Sequence, residues 1–415
     1  MDPRRRRLKT LALIGFVVFV AAFLFGAVSI WGASQEVVLP MPTGNRPVGR
    51  TIHEWRDDSR NDSISPEKAT RLLLIWLWYP AIPPPQSRPA PYVPEPWARE
   101  LDRTRGYFEH RLERVQAHAI ANAPVSPVIS QYPVLIFSPG YGLQPTDYTA
   151  IAEDLASHGY IVAGVAHPFS TPVVIFSSGR IVKQTPAGTL RGSGSEREAS
   201  ADQLLKVWAA DVVSVINELG QMNRQADNPF PVRLDLDRVG LFGHSFGGAA
   251  SAQACSLDDR CKAGIDLDGS PHGPVIKEGV PHPFLFLMSD REALRPPDLP
   301  GFRQSREHFD RAELKEIHRT EDVLNISPAG YRLRVSGMRH IQFADLALFF
   351  DPTSKLRDIA GMQITGLRAL SIARLLVREF FDEHLKNIDG PRLADASASY
   401  PEVRVEYRNL PNLDR

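Results

Sequence analysis

Two rhythms of apolar residues alternate along most of this chain. From Tyr132 onward, short unbroken apolar runs such as residues 133–137 and 160–165 give way to stretches in which apolar residues recur every three or four positions. The first kind reads as a buried strand and the second as a helix with one apolar face. A helix is predicted over about 147–157, closed by His158-Gly159. Leu204, Leu205, Trp208, Val212, Val215, Ile216 and Leu219 mark a long amphipathic helix. Further strands are predicted at 238–242, 263–267, 284–288 and 331–335, a helix begins at Gly247, and a last helix runs from 366 to about 385. Strands alternating with helices predict an α/β fold, with a mostly parallel central sheet and helices on both faces.

The N-terminal part departs from this rhythm. Residues 71–79 (RLLLIWLWY) form a strong strand pattern, and an edge strand is expected near 50–55. A proline-rich stretch from Ala81 to about Pro96 cannot continue a sheet or a helix. Leu101, Phe108, Leu112, Val115 and Ala119 then recur at helical spacing, which predicts a helix over 98–121, either a lid or a helix packed on the sheet edge. Residues 168–200 interrupt the alternation with a hairpin around Ser178-Gly179 and a Gly/Ser-rich loop. The expected organisation is one domain over 71–415 with insertions at about 81–130 and 168–200, preceded by an arm with a first strand at 32–70.

Residues 1–10 are basic, with Arg4 to Arg7 preceding an uncharged apolar run over 11–31. About 20 such residues suffice to cross a bilayer as a helix. The run is longer than the core of a cleavable signal peptide and lacks a good cleavage site, so an uncleaved signal anchor is expected in preference to a signal peptide. The basic end would face the cytoplasm, leaving the domain membrane-anchored on the periplasmic or extracellular side, or secreted if the segment is cleaved. Over the whole chain Lys+Arg and Asp+Glu both number 48, so no overall field recruits nucleic acid. Cys255 and Cys261 are the two cysteines; in an oxidising compartment they can close a short disulfide loop, the alternative being two buried free thiols. Two cysteines and no His-Glu-x-x-His or similar cluster give no support to a metal mechanism, and no cofactor is implied.

The chemistry centres on Gly243-His244-Ser245-Phe246-Gly247, which sits between a strand pattern and a run of small helix-forming residues. A strand–turn–helix context around G-x-S-x-G is that of a nucleophile elbow, with Ser245 projecting from the sheet. A serine needs a base, and the base an orienting acid, in the chain order Ser, acid, His. His340, in a loop after the strand at 331–335, fits that order; His318 and His384 are rivals within apparent helices. Asp268 and Asp290 each follow a predicted strand and compete as the acid, with Asp266 a weaker third. An oxyanion needs pre-aimed donors: the amide of Phe246, after the nucleophile, and that of Tyr141 in Phe137-Ser138-Pro139-Gly140-Tyr141-Gly142.

Four segments together resemble the platelet-activating factor acetylhydrolase family of α/β-hydrolases, of the secreted and lipoprotein-associated type. They are Phe137 to Gly142 running on to Asp154-Leu155-Ala156-Ser157-His158-Gly159-Tyr160; Gly243-His244-Ser245-Phe246-Gly247-Gly248; Gly264-Ile265-Asp266-Leu267-Asp268; and His340-Ile341-Gln342-Phe343-Ala344-Asp345. The resemblance covers about 130–350 and implies an α/β-hydrolase fold with Ser245 as nucleophile, His340 as base and Asp268, in preference to Asp290, as acid. It implies a calcium-independent serine esterase acting through an acyl-enzyme on short or oxidised acyl chains of phospholipids. The family's histidine before the oxyanion-loop glycine is Pro139 here, and 81–130 and 168–200 show no clear match. The alternatives are a general carboxylesterase resembling dienelactone hydrolases or cutinases and polyester hydrolases, and, in another class, a catalytically dead hydrolase fold acting as a surface binding protein.

Overall fold

The structure is a computed structural model that describes residues 36–105, 112–225, 233–291, 306–349, 363–388, 393 and 396–409. Its strands are β1 (Val37–Val38), β2 (Val48–Asn61), β3 (Thr70–Pro80), β4 (Pro89–Pro91), β5 (Val115–Ala121), β6 (Tyr132–Ser138) and β7 (Ile161–Ala166), then β8 (Val173–Ile175), β9 (Ile181–Lys183), β10 (Leu234–His244), β11 (Cys261–Leu267), β12 (Phe284–Ser289), β13 (Gly330–Val335) and β14 (Val403–Asn409). The longer helices are α1 (Glu95–Arg105), α2 (Thr149–Ser157), α3 (Gly194–Arg224), α4 (Phe246–Leu257), α5 (Arg306–Leu324) and α6 (Gly366–Lys386). Strands β7-β6-β10-β11-β12-β13 are neighbours in that order and run parallel. Antiparallel strands β3 and β14 flank them, and β2, β5 and β1 extend the sheet beyond β3.

Covering both faces of the sheet explains its unbroken apolar strands, because every residue then meets a core. Along β3, Leu74, Trp76 and Trp78 enter the core shared with α2 and α6, whereas Leu73, Ile75 and Leu77 enter the one shared with α3, α4 and α5. The same alternation divides Leu135 and Phe137 from Val134 and Ile136 in β6.

Three departures from the sequence expectations have physical causes. The helix expected over 98–121 is α1 over Glu95–Arg105, and Val115–Ala121 is instead strand β5. Val115, Ala117 and Ala119 are buried while Gln116 is exposed, a two-residue period that the helical spacing of Leu112, Val115 and Ala119 concealed. The insertion therefore lengthens the sheet, and Trp97 of α1 packs edge-on against Trp76 with ring centroids 5.6 Å apart. Helix α3 begins at Gly194, inside the stretch read as a loop. Strand β14 was not anticipated, although Val403, Val405 and Tyr407 alternate with charged residues. The apolar span 11–31 lies outside the described residues; among those described, no helix is long and apolar enough to cross a membrane.

Candidate active site

Strand β10 ends at His244 and α4 begins at Phe246, leaving Ser245 between them with φ +55° and ψ −122°. That left-handed backbone is costly for a residue with a side chain and is held by its surroundings. The Ser245 N–H donates to the Leu267 carbonyl at 2.8 Å, tying the turn to the end of β11. Two glycines are required by close approach. A Cβ at Gly243 would lie 2.2 Å from the Gly247 carbonyl oxygen, and one at Gly247 would lie 2.2 Å from that of Ser138.

Asp268, Asp290 and His340 follow the C-terminal ends of β11, β12 and β13, on the same edge of the sheet as Ser245. Asp268 accepts from His340 Nδ1 at 2.7 Å through Oδ2 and from the Ser289 amide at 2.9 Å through Oδ1. Burial pushes this carboxyl up, but the bond from His340, the neighbouring charges and the Ser289 hydroxyl outweigh it and hold Asp268 at about 2. Asp290 faces elsewhere: its Oδ2 accepts from the Gly337 amide at 2.8 Å and its own amide donates to the Met338 carbonyl at 2.8 Å, bracing the loop that carries His340. Asp266 is fully buried and accepts from the Gly269 amide at 2.6 Å; burial pushes its carboxyl well up. His318 and His384 lie within α5 and α6.

Ser245, Asp268 and His340 line one cavity of about 410 Å³ together with Tyr141 and Phe246. The Tyr141 and Phe246 rings meet edge-on with centroids 6.4 Å apart. Residues Leu190, Arg197 and Ala201, from the segment leading into and opening α3, supply another wall, and Ser270, His272 and Arg291 a third. Cys255 and Cys261 form a disulfide with a Cα–Cα distance of 5.2 Å, joining the end of α4 to the start of β11.

Two polar groupings around this site were missed from the sequence. Tyr148 and His244 are hydrogen-bonded at 2.7 Å, and His244 Nε2 lies 3.0 Å from the main-chain carbonyl of His340. Beside the loop that carries Tyr141, Ser138 Oγ lies 2.8 Å from His167 Nε2, and His167 Nδ1 lies 2.8 Å from Asp211 Oδ2. Arg71 and Arg60 neutralise Asp211, and Trp208 stacks on the His167 ring with centroids 3.9 Å apart. Ser138, His167 and Asp211 are each 0% exposed, so no substrate reaches this serine. Its residues are scattered over β6, the end of β7 and α3, and nothing in local spacing marks them as partners.

The family model described as platelet-activating factor acetylhydrolase, isoform II, matches residues 32–179 and 215–350. The chain belongs to this family. Among similar proteins, a probable 1-alkyl-2-acetylglycerophosphocholine esterase from Arthroderma benhamiae is 27% identical over 288 residues, 65% of either chain. A platelet-activating factor acetylhydrolase from Bos taurus is 32% identical over 180 residues, 39% of this chain and 40% of that one. The chain thus spans between 40% and 65% of the length of these relatives. A ferulic acid esterase from Streptomyces cinnamoneus superposes with a TM-score of 0.70 at 28% identity, covering 90% of this chain and 100% of that one. The family match leaves out 180–214, the segment that carries Leu190, Arg197 and Ala201 to the cavity.

Proposed function

We propose that this protein is a serine carboxylic ester hydrolase that acts through an acyl-enzyme, with Ser245 as nucleophile, His340 as general base and Asp268 as the group that orients the base. The observation that carries this reading is the 2.7 Å contact between His340 Nδ1 and Asp268 Oδ2 on a cavity shared with the elbow serine. With Nδ1 donating to Asp268, His340 Nε2 is left to take the Ser245 proton as Oγ attacks the ester carbonyl. The oxyanion is received by the amides of Tyr141 and Phe246. The imidazolium returns its proton to the departing alkoxide, and the acyl group stays on Ser245. Water, giving its proton to His340, then attacks the acyl-enzyme and frees the acid and the serine.

The favoured substrate is a phospholipid bearing a short or oxidised acyl chain. Support comes from family membership and from Arg197 and Arg291 on the cavity wall, two cations suited to a phosphodiester. A general carboxylesterase is the second reading, favoured by the likeness to the ferulic acid esterase over nearly the whole chain. The domain over 71–415, with β1 and β2 of the preceding arm joined to its sheet, is then the catalytic unit, held outside the cytoplasm by a membrane anchor at 11–31.

The test is turnover of acyl esters from acetyl to palmitoyl, and of an sn-2 acetyl phospholipid, by the purified protein beside Ser245→Ala, Asp268→Asn and Asp290→Asn. Ser245→Ala abolishes turnover and Asp268→Asn lowers kcat by about 10³-fold or more, while Asp290→Asn retains most of it. Phospholipid turnover with short-chain preference supports the favoured substrate, and simple-ester activity without it selects the second reading. No turnover of any ester by the unmodified protein, or a crippled Asp290→Asn beside a normal Asp268→Asn, overturns the assignment.

A further inference from the structure

The residue before the elbow serine bridges two loops that the proposed reaction needs. His244 lies at the end of β10, is 1% exposed, and has both ring nitrogens engaged. The bonding directions are fixed by one group. The main-chain carbonyl of His340, 3.0 Å from His244 Nε2, can only accept, so Nε2 carries the hydrogen. In the neutral ring Nδ1 is then an acceptor, and the Tyr148 hydroxyl, 2.7 Å away, donates to it. The Tyr148 oxygen in turn accepts the Gly140 amide at 3.1 Å. The series Gly140 N–H to Tyr148 O–H to His244 Nδ1, and His244 Nε2–H to His340 C=O, runs in one sense from the oxyanion loop to the base.

We propose that His244 is a positioning residue: a neutral bridge of single tautomer that, through Tyr148 and Gly140, holds the Tyr141 amide and the His340 ring in register on either side of Ser245. The inference rests on the roles proposed above for Tyr141, Ser245 and His340. Space at the bridge is tight, because a Cβ on Gly140 would lie 2.8 Å from His244 Nδ1 and 3.1 Å from the Tyr148 oxygen. The His244 and His340 rings are also packed together, with centroids 4.5 Å apart. Burial, and next the nearby His340, push the His244 imidazole down to about 3, so it stays neutral where an esterase works. A protonated Nδ1 would instead donate to the Tyr148 oxygen, turning the hydroxyl hydrogen away and ending the one-sense series.

The experiment compares Tyr148→Phe, His244→Leu and His244→Gln in the full chain, with kcat and KM on a small activated ester and nitrogen-15 NMR of the histidine rings. Tyr148→Phe keeps the ring and removes only the hydroxyl. It is expected to lower kcat by about 10- to 100-fold with KM within about twofold, the scale of a misplaced catalytic group. His244→Gln, whose carboxamide can donate to His340 and accept from Tyr148, recovers much of what His244→Leu loses. In the unmodified protein NMR shows His244 protonated at Nε2 alone, and Tyr148→Phe disturbs that tautomer. Unchanged kcat in folded Tyr148→Phe and His244→Leu, a change confined to KM, or a hydrogen found on Nδ1 overturns the bridge while leaving the hydrolase reading intact. An unmodified protein inert on every ester overturns the hydrolase reading and the catalytic role of the bridge with it.

Discussion

Buried His244 and half-buried His384 are imidazoles that desolvation pushes down from 6.5, to about 3 and about 4 respectively. Between those values and 6.5 the unfolded chain binds protons that the folded chain does not. Their contribution to stability is therefore complete above 6.5 and is lost as pH falls towards the folded values. Buried Asp266 and Asp345, pushed up by burial, act with the opposite sign above 3.8. Comparing the unmodified protein with His244→Gln isolates the imidazole: the unfolding free energy of the variant should fall less steeply from pH 6.5 to 4 in urea titrations. Parallel slopes would refute it. At this scale the sequence was legible where local pattern and context coincide, as in the strand–turn–helix around Ser245. From residues alone Asp268 and Asp290 are equivalent, since each follows an apolar strand. Their difference lies in the backbone after each strand and in distant partners: Asp268, with φ +56°, presents its carboxylate to His340, whereas the carboxylate of Asp290 turns to Gly337. Contacts between residues so far apart in sequence leave no mark in local spacing. The Tyr148–His244 contact, 96 residues apart in sequence, was hidden for the same reason.

Among the elements, the parallel strands and the helices between them were legible because two-sided burial writes unbroken apolar runs. Strand β5 was not, because a small-residue strand and one face of a helix share positions four apart. The pairing of α4 with β11 carries its own expectation. Their ends are joined by Cys255–Cys261 across a sequence separation of 6, and both cysteines are fully buried. Closing so short a loop removes little chain entropy, so replacing both cysteines by alanine should cost roughly 2–3 kcal/mol. Urea unfolding of the double variant checks this, and a loss under about 0.5 kcal/mol would show that α4 is held by packing alone. Because α4 begins immediately after Ser245, activity at moderate urea should fade earlier in the same variant.

For the whole molecule, the sheet edge gathers the candidate groups at one end, and one wall of their cavity comes from outside the family match. The anchor proposed at 11–31 predicts that a reporter active only outside the cytoplasm, fused after residue 35, works, and that the full chain sediments with membranes. A reporter active only in the cytoplasm would reverse the topology. The sealed grouping of Ser138, His167 and Asp211 has a consequence for how such molecules are recognised. Its serine-to-nitrogen and nitrogen-to-carboxylate spacings are both 2.8 Å, those of an assembled hydrolase centre. Spacing alone therefore does not make a working centre, because the wall of side chains around these three keeps any ester from them.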